Sequence, residues 1–152
     1  MAEEELGVSP LIEGVYPKAH VLNRFIAKFV DVIIVAAVSR LVSPVGWVAA
    51  LVYVLIADGF SGGRSIGKRL IGLQTVIPRT REVSHFRESI IRNLPLAIAY
   101  LFFPIPVLGW VIAIAIVAVE ALLILGNDQG LRLGDELAKT QVLDAGQMDL
   151  AE

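Results

Sequence analysis

Three acids stand inside or beside long apolar runs: Asp31, Asp58 and Glu120. A carboxylate surrounded by hydrocarbon is costly unless it is paired, hydrated or protonated. Acids in such places mark either a polar track for an ion, proton or small solute, or a buried ion-pair network that fixes helix register. Arg24, Lys28 and Asp31 follow one another at i, i+4 and i+7 and so share one helix face. Lys28 is within reach of Asp31. Arg24 stands at the end of the run, where it can snorkel or meet an acid from the tail.

The elements that carry these groups can be placed by counting along the chain. Trp47 and Trp110 open two apolar runs, where an indole suits the headgroup level. Asp58 and Glu120 lie eleven and ten residues further on. At the rise of an α-helix that depth is roughly 15–17 Å. Asp31 lies about 10 Å beyond Arg24 by the same rise. A hydrocarbon core is about 30 Å thick, so all three acids fall in its middle or inner half.

Composition supports a membrane setting. The 152 residues are 56% hydrophobic and 18% charged, with a mean hydropathy of +0.72. A soluble domain of this length carries more charge and less apolar mass. The charges are also segregated, with almost none from Val42 to Ala57 or from Pro104 to Leu125. The net charge of −2 points away from nucleic acid as a partner. Without cysteine the chain has no disulfide framework, redox pair or thiolate metal site. Residues 1–20 form a polar lead with Glu3, Glu4, Glu5, Pro10 and Pro17, which does not read as a cleavable signal. The first membrane helix is then an uncleaved anchor.

The chain also repeats itself. Pro44-Val45-Gly46-Trp47-Val48-Ala49-Ala50 is echoed by Val107-Leu108-Gly109-Trp110-Val111-Ile112-Ala113. Ile66-Gly67-Lys68-Arg69-Leu70, with Gln74, is echoed by Leu133-Gly134-Asp135-Glu136-Leu137, with Gln141. The reading is an all-α polytopic membrane protein. Four transmembrane helices, about 21–42, 46–60, 84–103 and 108–126, form two tandem hairpins, each followed by an amphipathic arm. The membrane domain spans 21–143, and 144–152 is a flexible tail. Ser84 is the expected N-cap of the third helix. In the first arm Ile66, Leu70, Leu73 and Ile77 recur at helical spacing, although the β-rich stretch from Gln74 to Ile77 also suits a short strand. Gly46 with Ala50, and Gly109 with Ala113, are small-residue pairs that let helices approach closely. A three-span alternative would fuse residues 93–125 into one tilted helix, against two prolines and a glycine in that stretch.

The loop between the second and third helices carries Arg64, Lys68, Arg69, Arg79, Arg81, Arg87 and Arg92. Positive-inside bias places it in the cytoplasm, and four spans then put both termini there as well. Arg64, Lys68 and Arg69 are candidates for lipid headgroup contact. Gly62-Gly63-Arg64-Ser65-Ile66-Gly67-Lys68 lacks the spacing of a phosphate loop. His20 and His85 are isolated, and no nucleophile has a base beside it, so neither an enzyme, a metal site nor a cofactor is expected.

The segment from Arg24 to Asp31, the stretch from Gly63 to Val76 and the stretch from Asp135 to Val142 together resemble the RDD family of bacterial and archaeal membrane proteins. The resemblance covers roughly Val21 to Leu143. It implies that Arg24, Asp31 and Asp135 are the family's arginine and two aspartates, and that the protein is integral to the plasma (inner) membrane. Lys28, Asp58 and Glu120 are intramembrane candidates on depth alone. Asp135 is expected to pair with Arg24 or with a base of the first arm. Two functions remain open: a component of ion or small-solute transport, or a non-catalytic accessory or scaffold subunit of a larger membrane complex. Four short spans are few to enclose a path, so a homo-oligomer or a membrane partner protein is expected.

Overall fold

The computed structural model describes residues 19–145, apart from 42, 43, 61 and 81. The polar lead up to residue 18 and the tail from residue 146 lie outside the described residues. The chain is mostly helical. Helix α1 (Val21–Leu41) has neither proline nor glycine to interrupt it. Pro44 and Val45 turn the chain into α2 (Gly46–Ile56), which tightens into a 3-10 turn at Ala57–Gly59. A short helix α3 (Ile66–Ile71) leads into strand β1 (Leu73–Ile77), and β2 (Glu82–Val83) follows. The second half repeats the plan with α4 (Phe86–Phe102), α5 (Leu108–Gly126), α6 (Leu133–Ala138) and β3 (Gln141–Asp144).

Each arm position has its counterpart 67 residues on, so that Gly67 answers to Gly134 and Gly72 to Lys139. The structure honours this equivalence. Both arm helices are 6 residues long. Both end on a left-handed residue, Gly72 at φ +78° and Lys139 at φ +54°. Gly67 and Gly134 press against the first helix of their own hairpin. A Cβ on Gly67 would run into the carbonyl of Ala27 in α1, and one on Gly134 into the carbonyl of Arg92 in α4. Strands β1 and β3 pair antiparallel, with Thr75 opposite Val142 and Leu73 opposite Asp144. Thr75 and Val142 are themselves equivalent positions, so a local two-fold axis passes through that pair. With β2 on the far edge of β1, the strands form one small sheet in the order β2-β1-β3.

Several expectations change. The first arm is helical only to Ile71. Gly72 stops it, and Leu73 to Ile77 take the strand alternative, with Leu73 fully buried beside Ala19, Ala27 and Val142. A single helix through Ile77 would have withheld those backbone groups from β3. Ser84 does not cap α4. Its N–H is spent on Thr75 O at 2.9 Å in the sheet, and the cap falls to His85, whose N–H donates to Glu88 Oε2 at 3.2 Å. The small-residue pairs do bring helices together: a Cβ on Gly46 would meet the carbonyls of Val38 and Ser39, and one on Gly109 the carbonyl of Phe102.

Burial is inverted relative to a water-soluble fold. The large apolar side chains point outward, among them Phe29 at 66% exposure, Ile114 at 69% and Leu122 at 66%. Arg24, Asp31, Asp58, Arg92, Asn93, Glu120, Arg132 and Asp135 are buried. An exposed apolar surface of this extent belongs against lipid or another protein. Among the described residues one helix, α5, is long and apolar enough to cross a membrane. The apolar segment Gly46–Gly59 is shorter. Helix α1 has the length but carries Arg24, Lys28, Asp31 and Arg40.

Candidate functional site

The helical spacing of Arg24, Lys28 and Asp31 turns all three toward the interior of the bundle, yet each meets a different environment. Arg24 crosses to the second arm. Its Nη2 donates to Asp135 Oδ2 at 2.7 Å, and its Nη1 donates to the carbonyl of Gly130. This is one of the two pairings expected for Asp135. The other does not form, because Lys68 of the first arm is engaged elsewhere.

Asp135 is wholly buried and gathers two more arginines. Arg92 Nη2 lies 2.7 Å from Oδ1, and Arg132 Nε lies 3.4 Å from the same oxygen. Burial alone would raise the carboxyl, but Arg92, Arg132 and Arg24 outweigh it and hold it well below the usual carboxylate range. Burial would likewise lower the Arg132 guanidinium, but Asp135 and Glu120 keep it charged and raise it. Arg132 also reaches Glu120 Oε2 at 3.5 Å and donates from Nη2 to Asn93 Oδ1 at 3.1 Å. Glu120, in the middle of α5, takes the N–H of Gly134 at 3.4 Å. The second arm is thus tucked under the bundle rather than laid flat beside it.

Asp58 closes the other half of the network. Lys68 Nζ lies 2.7 Å from its Oδ1, Asn93 Nδ2 donates to Oδ2 at 3.2 Å, and Arg92 Nη1 lies 3.6 Å from Oδ2. Lys68 also donates to Thr75 Oγ1 at 2.9 Å. Its ammonium is lowered to about 7 by burial, with Arg92 adding to the effect and Asp58 opposing it. Lys68 is therefore not a headgroup contact; the acid at the end of α2 has drawn it inward. Arg64 is half-buried and donates to Gln74 Oε1 at 2.9 Å, leaving Arg69 as the exposed member of the trio. Arg92 links both halves through Asp58 and Asp135. The sequence places it only among the basic residues that lead into the third helix, with no partner. Its signal in the sequence was a cation on the same helix face as Ser89 and next to Asn93, a polar patch inside an otherwise apolar helix.

Asp31 does not pair with Lys28. Its two oxygens are taken by three donors of a different kind: Tyr53 Oη at 2.9 Å, Ser65 Oγ at 2.7 Å and the Gly67 N–H at 3.0 Å. The close approach that glycine permits at position 67 delivers that N–H. Lys28 is left facing a cavity of about 510 Å³ between α1, α2 and α4. Lys28, Asp31, Tyr53, Asp58, Ser65 and Asn93 form its polar floor. Val32, Val35, Leu96 and Ala99 line the walls toward Trp47 and Tyr100, whose rings stack 5.8 Å apart at the far end. Glu120 does not line this cavity; it stands behind Arg132. Among the described residues no group of acids and histidines is placed to hold a metal ion.

No curated protein and no solved structure matches the chain. A family match covers residues 40–139, which takes in α2 to α6 and the whole of both arm helices. All of α1 but its last two residues, and with it Arg24 and Asp31, precedes the matched residues; the Arg24–Asp135 pair and the Asp31–Gly67 hydrogen bond tie it to them. On that match the chain belongs to the RDD family, whose members are typically membrane proteins.

Proposed function

We propose that the chain is a four-span integral protein of a prokaryotic plasma membrane, and that its cavity is the binding site of an ion or small-solute transport component. The observation that carries this reading is the cavity itself, with a polar floor and apolar walls inside a bundle whose outer surface is apolar. A bundle built only for anchorage gains nothing from polar groups gathered at the bottom of such a cleft, since each must be desolvated and paired. Helices α1, α2, α4 and α5 are the four spans. Helix α2 and its 3-10 turn are short because Asp58 ends the crossing early, against the arms. The arms present Ile66, Leu70, Leu133 and Leu137 outward, which suits a segment at the headgroup level. A local two-fold directed along the membrane normal gives both hairpins the same orientation, with the basic loop, both arms and both termini in the cytoplasm. Copies of the chain, or a partner subunit, complete the path.

The test is flux from proteoliposomes of the purified chain, for protons, alkali cations and small organic anions. Asp31→Asn and the cavity-filling Ala99→Leu are compared with Glu120→Gln, which lies behind the cavity. Saturable flux that Ala99→Leu and Asp31→Asn abolish, in variants that still melt cooperatively, supports the reading. Absence of flux for every solute, with a stable copurifying membrane protein, favours the accessory role instead. The exposed apolar face of the arms is the surface that such a partner would cover.

A further inference from the structure

We infer that the cavity takes an organic anion of single charge with an apolar body, its acidic head on Lys28. This deepens the transport reading and rests on the cavity being the site where the solute binds. Three observations point to that ligand class.

The first is donor and acceptor saturation. Both carboxylates on the cavity floor already have their partners: Asp31 holds Tyr53, Ser65 and Gly67, and Asp58 holds Lys68, Asn93 and Arg92. A cationic ligand would have to displace them. Lys28 makes no ion pair and no hydrogen bond among the described residues, although it lines the same floor. The second is charge balance. The interior network holds five cations, Arg24, Lys28, Lys68, Arg92 and Arg132, against four acids, Asp31, Asp58, Glu120 and Asp135. The surplus positive charge is the group without a partner. A sequestered charge without a partner is costly, so an anion entering here gains what the fold leaves unmet.

The third is shape. Between Lys28 and the far end, where Ser39, Arg40 and Tyr100 line the cavity, the walls are Val32, Val35, Leu96 and Ala99, which offer nothing to a second polar group at that level. On α1 the lining runs from Lys28 to Arg40, about 18 Å at helical rise, and Val32, Val35 and Ala36 are the apolar stretch between those polar ends. A cavity of about 510 Å³ lies in the size range of small-molecule sites. A carboxylate head on a short acyl or aryl body satisfies both ends.

Octanoate is the probe, with octanol as its uncharged twin. The full chain is placed in discs of zwitterionic lipid, in a Trp110→Phe background, so that Trp47, which lines the cavity, is the remaining tryptophan. Octanoate should give a saturable change in Trp47 emission, and octanol a response at least roughly tenfold weaker, as expected for losing a charge-assisted hydrogen bond. Lys28→Met should weaken octanoate by a similar factor while melting no lower than the parent, and Lys28→Arg should restore binding. Equal affinity for octanoate and octanol in the unmutated cavity overturns the proposal without any need for a lysine variant. So does undiminished octanoate binding to a folded Lys28→Met. Adding anionic phospholipid to the discs separates sources: competition marks the membrane's own lipid as the anion, and its absence marks a free solute. Flux without octanoate binding removes the ligand class and leaves the path. Binding without flux removes the path and leaves the site.

Discussion

Asp135 is the residue on which the interior turns, because three guanidinium groups from three different segments meet on its two oxygens. Removing it strands Arg24, Arg92 and Arg132 together without their shared anion. Asp135→Asn should therefore cost about 3–5 kcal/mol, the usual penalty for breaking a buried ion pair from one side. Arg24→Met removes one of the three and should cost less, about 1–3 kcal/mol. In the double variant the two losses should fall short of additive, which denaturant unfolding in detergent can measure. Strict additivity would show that the pair carries no coupling. Exchanging the charges at the two positions should not rescue stability, since an arginine at 135 would face Arg92 and Arg132. The pH dependence has a definite sign. The folded-state pKa of Asp135 lies below its unfolded value, so the folded chain binds fewer protons than the unfolded chain as the pH drops through the carboxylate range. Its contribution is complete above that range and is lost as the pH falls through it and below. The melting temperature should hold steady down to about pH 5 and then decline, and Asp135→Asn should flatten that decline.

At the level of elements, what the sequence disclosed depended on whether the signal was periodic or contextual. The helices α1, α2, α4 and α5 were legible because their apolar runs are bounded by Pro44, Pro78 and the proline pair at 104 and 106. The repeat was legible because glycine sits where a backbone must approach, at Gly67 and Gly134, and those glycines do contact α1 and α4. The pairing of β1 with β3 was not legible. A five-residue strand after a one-turn helix has too short a period to distinguish from its continuation, and its partner lies 67 residues away. The fate of Lys68 was hidden for a related reason. Only the fold shows that the short α2 ends on an acid directly above it. The repeat also exposes a mismatch: Gly72 occupies the left-handed helix end in the first arm, while Lys139 must adopt φ +54° in the second. A side chain is strained there and glycine is not. Lys139 is exposed, so Lys139→Gly removes strain without removing a buried contact. It should raise stability by about 1 kcal/mol. Gly72→Ala should do the reverse at the equivalent position, and thermal melts of the two variants would show opposite shifts.

For the whole molecule, polar groups inside and apolar groups outside are two sides of one arrangement. Each hairpin turns its charged face toward the other, and the arms insert their own ions between them, so that four acids and five bases are satisfied without facing lipid, Lys28 excepted. This requires both hairpins to enter from the same side. The local two-fold through Thr75 and Val142 supplies that relation if it runs along the membrane normal. The consequence can be tested because the chain has no cysteine of its own. Single cysteines at Thr80, between β1 and β2, and at Asp128, between α5 and α6, should both react with an impermeant thiol reagent from the cytoplasmic face. A cysteine at Ile105, in the turn between α4 and α5, should react from the opposite face. Labelling of Thr80 and Asp128 from opposite sides would mean an odd number of crossings between them. The second arm could then not reach the first from the same surface, and the contacts of Asp135 with Arg24 and Arg92 would have no membrane-embedded counterpart.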